Sequence, residues 1–161
     1  MNALDPLTAA IRVPPPALHV RWGMRRDMAA VQAIEDASFV TPWTDDDFTD
    51  VMRRRNCIAY VAVRADIVVG YVVYELRTAS LEILNLAVRP DCRRQGVGAK
   101  LVDKVVSKIY SGRRTRVEVA VREGNLPAQL FFKGHGFRAT SVSRGHFDDT
   151  GEDAYLMSYS L

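Results

Sequence analysis

Apolar residues recur along this chain with two periods, and the changes between those periods mark its elements. Residues 57–63 and 68–76 are dense in Val, Ile and Tyr, which suits a pleated, half-buried surface. Arg64-Ala65-Asp66 between them predicts a hairpin turn. Residues 81–88 predict a third strand of the same meander. Residues 115–121 alternate strictly, with Val117, Val119 and Val121 on one face and Arg116, Glu118 and Ala120 on the other. A helical period takes over at Val97, Leu101, Val105 and Ile109, flanked by Val102 and Val106. Lys100, Lys104 and Lys108 take the opposite side, and Gly112 ends the run. Two shorter helices are predicted earlier. Asp27 caps the first, with Met28, Val31 and Ile34 turned inward. Thr44 caps the second, with Asp47 at the capping-box position and Arg53, Arg54 and Arg55 near its negative C-terminal end. Asn125 caps a last helix that tolerates Pro127 in its first turn and has Leu130, Phe131 and Phe132 as its apolar body. A short strand at 19–24, one beginning after Gly136-Phe137 and a closing one at 152–157 complete the order β-α-α-β-β-β-α-β-α-β-β. Residues 1–18, ending near Pro14-Pro15-Pro16, predict a flexible tail, which leaves 19–161 as one domain.

One segment joins these patterns to chemistry. After the strand at 81–88, Pro90-Asp91 makes a turn, and Cys92-Arg93-Arg94-Gln95-Gly96-Val97-Gly98-Ala99 carries a basic loop into the start of a helix. The first N–H groups of a helix have no internal partner, and its dipole makes that end partly positive. Gly96 and Gly98 let a ligand approach the backbone. With Arg93 and Arg94 alongside, the segment predicts a seat for a diphosphate. Leu101 stands where a dinucleotide fingerprint needs its third glycine, and Gly-Lys-Ser/Thr is absent, so neither a Rossmann motif nor a P-loop is present.

Composition changes this picture little. A chain of 161 residues is long enough for one proper core. The net charge of +3 and pI near 9.0 agree with an anionic ligand and are too small to argue for direct nucleic-acid binding. There is no apolar run of membrane-spanning length, and the first residues lack the layout of a signal peptide. Cys57 and Cys92 are the only cysteines and are expected to stay reduced, which predicts a cytoplasmic protein. His19, His135 and His146 are scattered, so no metal site is expected. Nothing distinguishes a monomer from a homodimer.

Arg93 to Gly98 resembles the acetyl-CoA signature of the GNAT N-acetyltransferase superfamily, Arg/Gln-x-x-Gly-x-Gly/Ala, and the element order from His19 onward is similar to that family's. The resemblance implies an α/β (α+β) GNAT fold. That is a mixed, mostly antiparallel central sheet of about seven strands with a V-shaped split, and helices on both faces. It implies acetyl-CoA as the bound donor. Arg93, Arg94, Gln95, Gly96, Val97, Gly98 and Ala99 would hold its pyrophosphate. The backbone of Leu86, Ala87 and Val88 would pair with the pantetheine arm, with the Val88 N–H as oxyanion donor. Asn125 and Phe132 would border the same site. The stretch Phe39-Val40-Thr41-Pro42-Trp43-Thr44, the Gly136-Phe137 pair and Glu152-Asp153-Ala154-x-x-Met157 resemble the RimI-type branch, whose members acetylate the N-terminal amine of a ribosomal protein. By that resemblance Pro42 and Trp43 border a peptide site; the plainer alternative is a loop tryptophan that covers the core.

The same alignment shows two departures. The family's basic Glu falls at Ala120, and its thiolate-protonating Tyr falls at Phe132. Neither residue can move a proton. An α-amine titrates near about 7.7–8.0 and a thiol near about 8.5, so a weak base and no acid can suffice when the partners are well positioned. Glu82 is the substitute base suggested by resemblance to the histone-acetylating branch, where a Glu in the matching place acts through water. Glu118 shares a strand face with Ala120, about 7 Å away. His146 and Tyr155 are candidates for the acid or for substrate contact. The function expected is acetyl-CoA-dependent N-acetyl transfer to the N-terminal α-amine of a protein or peptide by direct attack. The alternatives are transfer to a small-molecule amine, and a non-catalytic acyl-CoA-binding module.

Overall fold

The computed structural model describes residues 14–161; residues 1–13, most of the expected tail, lie outside the described residues. The elements run β1 (His19–Trp22), α1 (Met28–Ser38), α2 (Asp45–Arg53), β2 (Cys57–Arg64), β3 (Ile67–Leu76), β4 (Ser80–Val88), α3 (Val97–Val106), β5 (Arg116–Arg122), α4 (Leu126–Gly134), β6 (Arg138–Phe147) and β7 (Glu152–Ser160). All seven strands join one sheet in the order β1-β2-β3-β4-β5-β7-β6. Every pairing is antiparallel except β4 with β5, whose parallel alignment requires the crossover that α3 supplies. No described helix is long and apolar enough to cross a membrane.

The two faces of the sheet carry separate cores. Val31 and Ile34 of α1 and Phe48 and Val51 of α2 pack on Val61, Tyr71 and Val73. On the other face Val97, Leu101 and Val105 of α3 and Phe132 of α4 pack on Val72, Ile83, Val117 and Val119. The helix α3 settles this deeply because Gly70 of β3 lies beneath it. A Cβ there would come within 2.9 Å of Val97 and 3.1 Å of the Ala87 carbonyl oxygen.

Local chemistry sets most boundaries. Ala65 and Asp66 both have positive φ, 50° and 62°, which gives the two-residue turn whose twist matches a hairpin. The Thr44–Asp47 capping box forms in both directions. Asn125 Oδ1 accepts from the Ala128 N–H at 3.1 Å. Four local expectations are corrected. The Asp27 carboxylate does not cap α1; it is buried, accepts from the Met24 N–H, and pairs with Arg21 at 2.7 Å, which ends β1 at Trp22. The regular part of α3 ends at Val106, although Ile109 beyond it is still buried. Leu130 is not part of the apolar body of α4 but is 58% exposed. Leu18 packs against the core, and its carbonyl accepts from Lys100 Nζ at 2.7 Å.

Candidate functional site

The parallel pair β4–β5 is short. Only Ser80, Leu81, Glu82 and Ile83 find partners, at Arg116, Val117, Glu118 and Val119. Beyond Ile83 the two strands part while β4 stays paired with β3 to Val88. The β3–β4 register slips at this point: Val73 faces Asn85 and Tyr74 faces Ile83, so Leu84 is an extra residue. A bulge increases local twist and bends the strand that carries it, and here it turns the end of β4 away from β5. The opening is therefore lined on one side by Leu86, Ala87 and Val88. The Arg89 N–H donates to the Val69 carbonyl at 2.8 Å. Alternation along the strand then aims the amides of Val88 and Leu86 the other way, into the split.

Just past β4 the chain passes Pro90–Cys92, a single 3₁₀ turn, and reaches α3. Gly96 stands at the N-cap with φ 82°, no side chain caps the helix, and a Cβ at Gly96 would meet nothing within 4 Å. The leading N–H groups of α3 are thus free of a capping side chain and open to an incoming anion. Gly98 sits where a Cβ would press on the Phe131 ring at 3.1 Å, so α3 and α4 touch across the mouth of the split. Arg94 adopts a left-handed φ of 62°, a strained conformation for a side-chain-bearing residue and a common mark of functional loops. The remaining basic residues brace the loop. Arg93 donates to the Val88 carbonyl and to Ser38 Oγ, both at 3.0 Å. Gln95 donates to the Asp91 carbonyl at 3.1 Å and accepts from Arg64 at 2.6 Å. Arg89 grips Asp91 and lowers its pKa to about 2.

Three carboxylates line up across the sheet beside the vertex of the split. Glu82 faces Glu75 on β3 and Glu118 on β5 in register. Leu81 and Ile83 point into the α3 core, so Glu82 lies on the opposite face, the one shared with α1 and α2. Its side chain is 22% exposed and pairs with Arg77, which also holds Glu75 at 3.1 Å. Burial pushes the Glu82 pKa up. Arg77 opposes this, Glu75 and Glu118 add to it, and the nearby His146 opposes it. Glu118 differs: burial raises its pKa, but hydrogen bonds from Ser80 and Arg116 outweigh burial and leave it lowered. Glu82, Glu118 and His146 are thus brought together. Tyr155 is not with them; it packs against the α3 core on the other face, between Val121 and Val142 in register. Ala120 lies on the Glu118 face without a titrating group. Phe132 is buried against Phe131 and Phe137 at 5.2 and 5.1 Å.

The α1–α2 loop and the β6–β7 turn meet over this face. Arg122, at the end of β5, anchors the turn through Asp149 at 2.7 Å, Thr150 at 3.1 Å and the Phe147 ring at 3.9 Å. The Asp149 pKa is lowered first by Arg122 and also by the hydroxyl of Thr41, which lies in the other loop. Trp43 packs edge-on against Phe48 at 5.2 Å. Its backbone is held by α1: Glu35 Oε1 accepts from the Trp43 N–H at 2.7 Å, and Gln32 Nε2 donates to the Trp43 carbonyl at 2.7 Å. Glu35 is 1% exposed, and its other oxygen accepts from Tyr71 and, at 3.1 Å, from Asn85. Neither Glu35 nor Asn85 was expected from the sequence. The usable signal was a carboxylate one residue from Ile34 and four from Val31, on the inward stripe of α1. Two clefts of about 330 and 560 Å³ lie elsewhere, between α1, α2 and β1–β3 and along β1.

Comparison with known proteins gives a family match, a sequence relative and two structural neighbours. Residues 28–137 match the Acetyltransferase (GNAT) family. A Bacillus subtilis protein, provisionally named a ribosomal protein bS18-alanine N-acetyltransferase, is 30% identical over 132 residues, covering 81% of this chain and 87% of that one. The structure of Ard1 from Thermoplasma volcanium superposes with a TM-score of 0.82 at 28% identity, over 90% of this chain and 98% of that one. Arabidopsis thaliana Naa50, solved with the bisubstrate analogue CoA-Ac-MVNAL, shares the fold with a TM-score of 0.77 at 20% identity, over 89% and 99% of the two chains.

Proposed function

The chain belongs to the Acetyltransferase (GNAT) family, and from that premise we propose that it transfers the acetyl group of acetyl-CoA to the N-terminal α-amine of a protein. The observation that carries this is the four-residue β4–β5 pairing, which leaves a split open between an uncapped helix start on one side and two meeting loops on the other. The relative from Bacillus subtilis, named for an alanine of a ribosomal protein, supports the acceptor class. A peptide would enter between Pro42-Trp43 and the β6–β7 turn, on the face that carries Glu82.

The residues present fit the donor. The free amides from Gly96 to Ala99 and the Arg94 guanidinium would hold the pyrophosphate, and the outward edge of β4 would pair with the pantetheine amides. Acetyl-CoA supplies the thioester and a thiolate leaving group of pKa about 8.5. The Val88 N–H points into the split, where it would donate to the thioester oxygen as charge develops, and Arg93 braces the next peptide along through the Val88 carbonyl. Glu82, its pKa raised by burial, takes the ammonium proton through water so that the neutral amine attacks directly. His146, exposed beside it, contacts the acceptor. Buried Phe132 offers no proton to a leaving sulfur, so the chain would act chiefly by positioning the two partners, and the second amine proton released on amide formation would pass to water. The setting we propose is the cytoplasm, where the free Cys57 and Cys92, both with pKa values raised by burial, stay reduced.

The test is thiol release from acetyl-CoA with a panel of N-terminal peptides set against polyamines and amino acids. Turnover with one or more peptides is expected. Turnover with small amines alone would overturn the acceptor assignment. Tight coenzyme A binding without turnover would leave an acyl-CoA-binding module.

A further inference from the structure

The buried carboxylate of Glu35 has no place in the acetyl-transfer chemistry, yet it is the most heavily connected acidic side chain near the site. Its three hydrogen bonds tie four elements together. It sits on α1, accepts from the Trp43 amide in the α1–α2 loop, and accepts from Tyr71 on β3 and Asn85 on β4. Asn85 directly follows the bulge that opens the split. One helical turn earlier, Gln32 takes the carbonyl of the same Trp43. The Trp43 residue is thus held by both its backbone groups from one helix, while its ring packs on Phe48. A loop on a protein surface normally leaves such groups to water. A carboxylate removed from water survives only when its oxygens are satisfied by hydrogen bonds, and here every donor belongs to the α1–α2 loop or to the paired strands β3 and β4.

We propose that Glu35 is a positioning residue that fixes the Trp43 wall of the acceptor groove against the bulged strand β4, so that the acceptor amine arrives in register with the thioester. The inference rests on the peptide-acceptor function above. Its consequence is selective. Loosening Glu35 moves the wall that meets the acceptor and leaves untouched the α3 amides that meet the donor.

Glu35→Gln keeps the volume but turns one of the two accepting oxygens into an NH2 group, so either the Trp43 N–H or the Tyr71 and Asn85 donors lose their acceptor, and in both cases the tie between loop and strand is cut. The Michaelis constant for the best peptide is expected to rise about tenfold, the size set by losing a hydrogen bond to a charged group. kcat with the peptide falls as well, because a loose wall costs register, whereas the Michaelis constant for acetyl-CoA stays within about twofold. Tyr71→Phe removes a partner of the same carboxylate without touching the loop. It is expected to lower stability and leave the peptide constant unchanged, which separates positioning from simple destabilisation. Gln32→Met releases the Trp43 carbonyl, together with an exposed bond to Asp36, and tests the wall by the same readouts if Glu35→Gln does not fold. A readout independent of turnover uses the two tryptophans: with Trp22→Phe, fluorescence reports Trp43 alone, and Glu35→Gln should make it markedly easier to quench with acrylamide. Unchanged Trp43 quenching, or a parallel rise in both Michaelis constants, would overturn the proposal. If the wild type acetylates only small amines while Trp43 still loosens in Glu35→Gln, the acceptor assignment fails and the mechanical role of Glu35 stands.

Discussion

At Glu82 the competition among neighbours sets the chemistry. Burial and the carboxylates of Glu75 and Glu118 push its pKa up, and Arg77 with His146 pulls it down, with burial the winner. As the proposed base, Glu82 must be ionised to act, so activity should rise with pH through this elevated value. The acid limb of kcat/KM should therefore lie above that of an ordinary glutamate. Arg77→Met removes a cation and should move the limb to higher pH, while Glu75→Gln removes a like charge and should move it lower. Glu82→Gln should erase the limb and cut turnover by roughly 10²–10⁴-fold. A pH–rate profile that ignores all three substitutions would take Glu82 out of the mechanism. Stability follows the same titration: a group held at a raised pKa when folded favours the folded state below its unfolded value, and that contribution is lost as pH rises through the folded value. Glu82 was singled out in the sequence by resemblance to the histone-acetylating branch. Arg77 was not, because its guanidinium reaches two strands whose register no local pattern specifies.

Among the elements, α3 shows most directly how packing fixes function. Its repeat of Val97, Leu101 and Val105 was plain in the sequence and forms the buried stripe observed. What the repeat could not reveal is that β3 must be bare beneath it. Gly70→Ala would place a Cβ 2.9 Å from Val97 and 3.1 Å from the Ala87 carbonyl oxygen, and the second contact is backbone that cannot swing aside. We expect a stability loss of about 1–3 kcal/mol, measured by urea unfolding. A weaker affinity for coenzyme A should accompany it, because displaced α3 carries its N-terminal amides away from the loop. Retained affinity at lowered stability would show that the helix start is positioned by the loop alone. Capping residues Thr44 and Asn125 were readable because they act within one turn. Asp27 misled for the opposite reason: a better partner, Arg21, stood six residues back across the end of β1.

For the molecule as a whole, the order of strands and helices was legible and the site's internal wiring was not. Alternation and helical period speak about faces. They are silent on which long-range pairs meet, and Glu35, Asn85, Arg122 and Asp149 act only through such pairs. The folded chain also carries an unfilled demand: helix amides and an open strand edge that only a ligand completes. A ligand that binds the folded state alone stabilises it by RT ln(1 + [L]/Kd), about 2.7 kcal/mol at a hundredfold excess over Kd. Coenzyme A should raise the melting temperature accordingly, and inorganic pyrophosphate should do so more weakly. No shift with coenzyme A would remove the donor from this groove.

The four-pair seam between β4 and β5 has one more consequence. It makes the sheet a folded leaflet with a short spine, β1 to β4 forming one page and β5, β7 and β6 the other. A molecule laid in the gutter touches both pages, and so does the work of the missing rungs of the ladder. Catalysis and cohesion then draw on the same four residues a side: lengthening that spine would tighten the sheet and shut out the donor in one stroke.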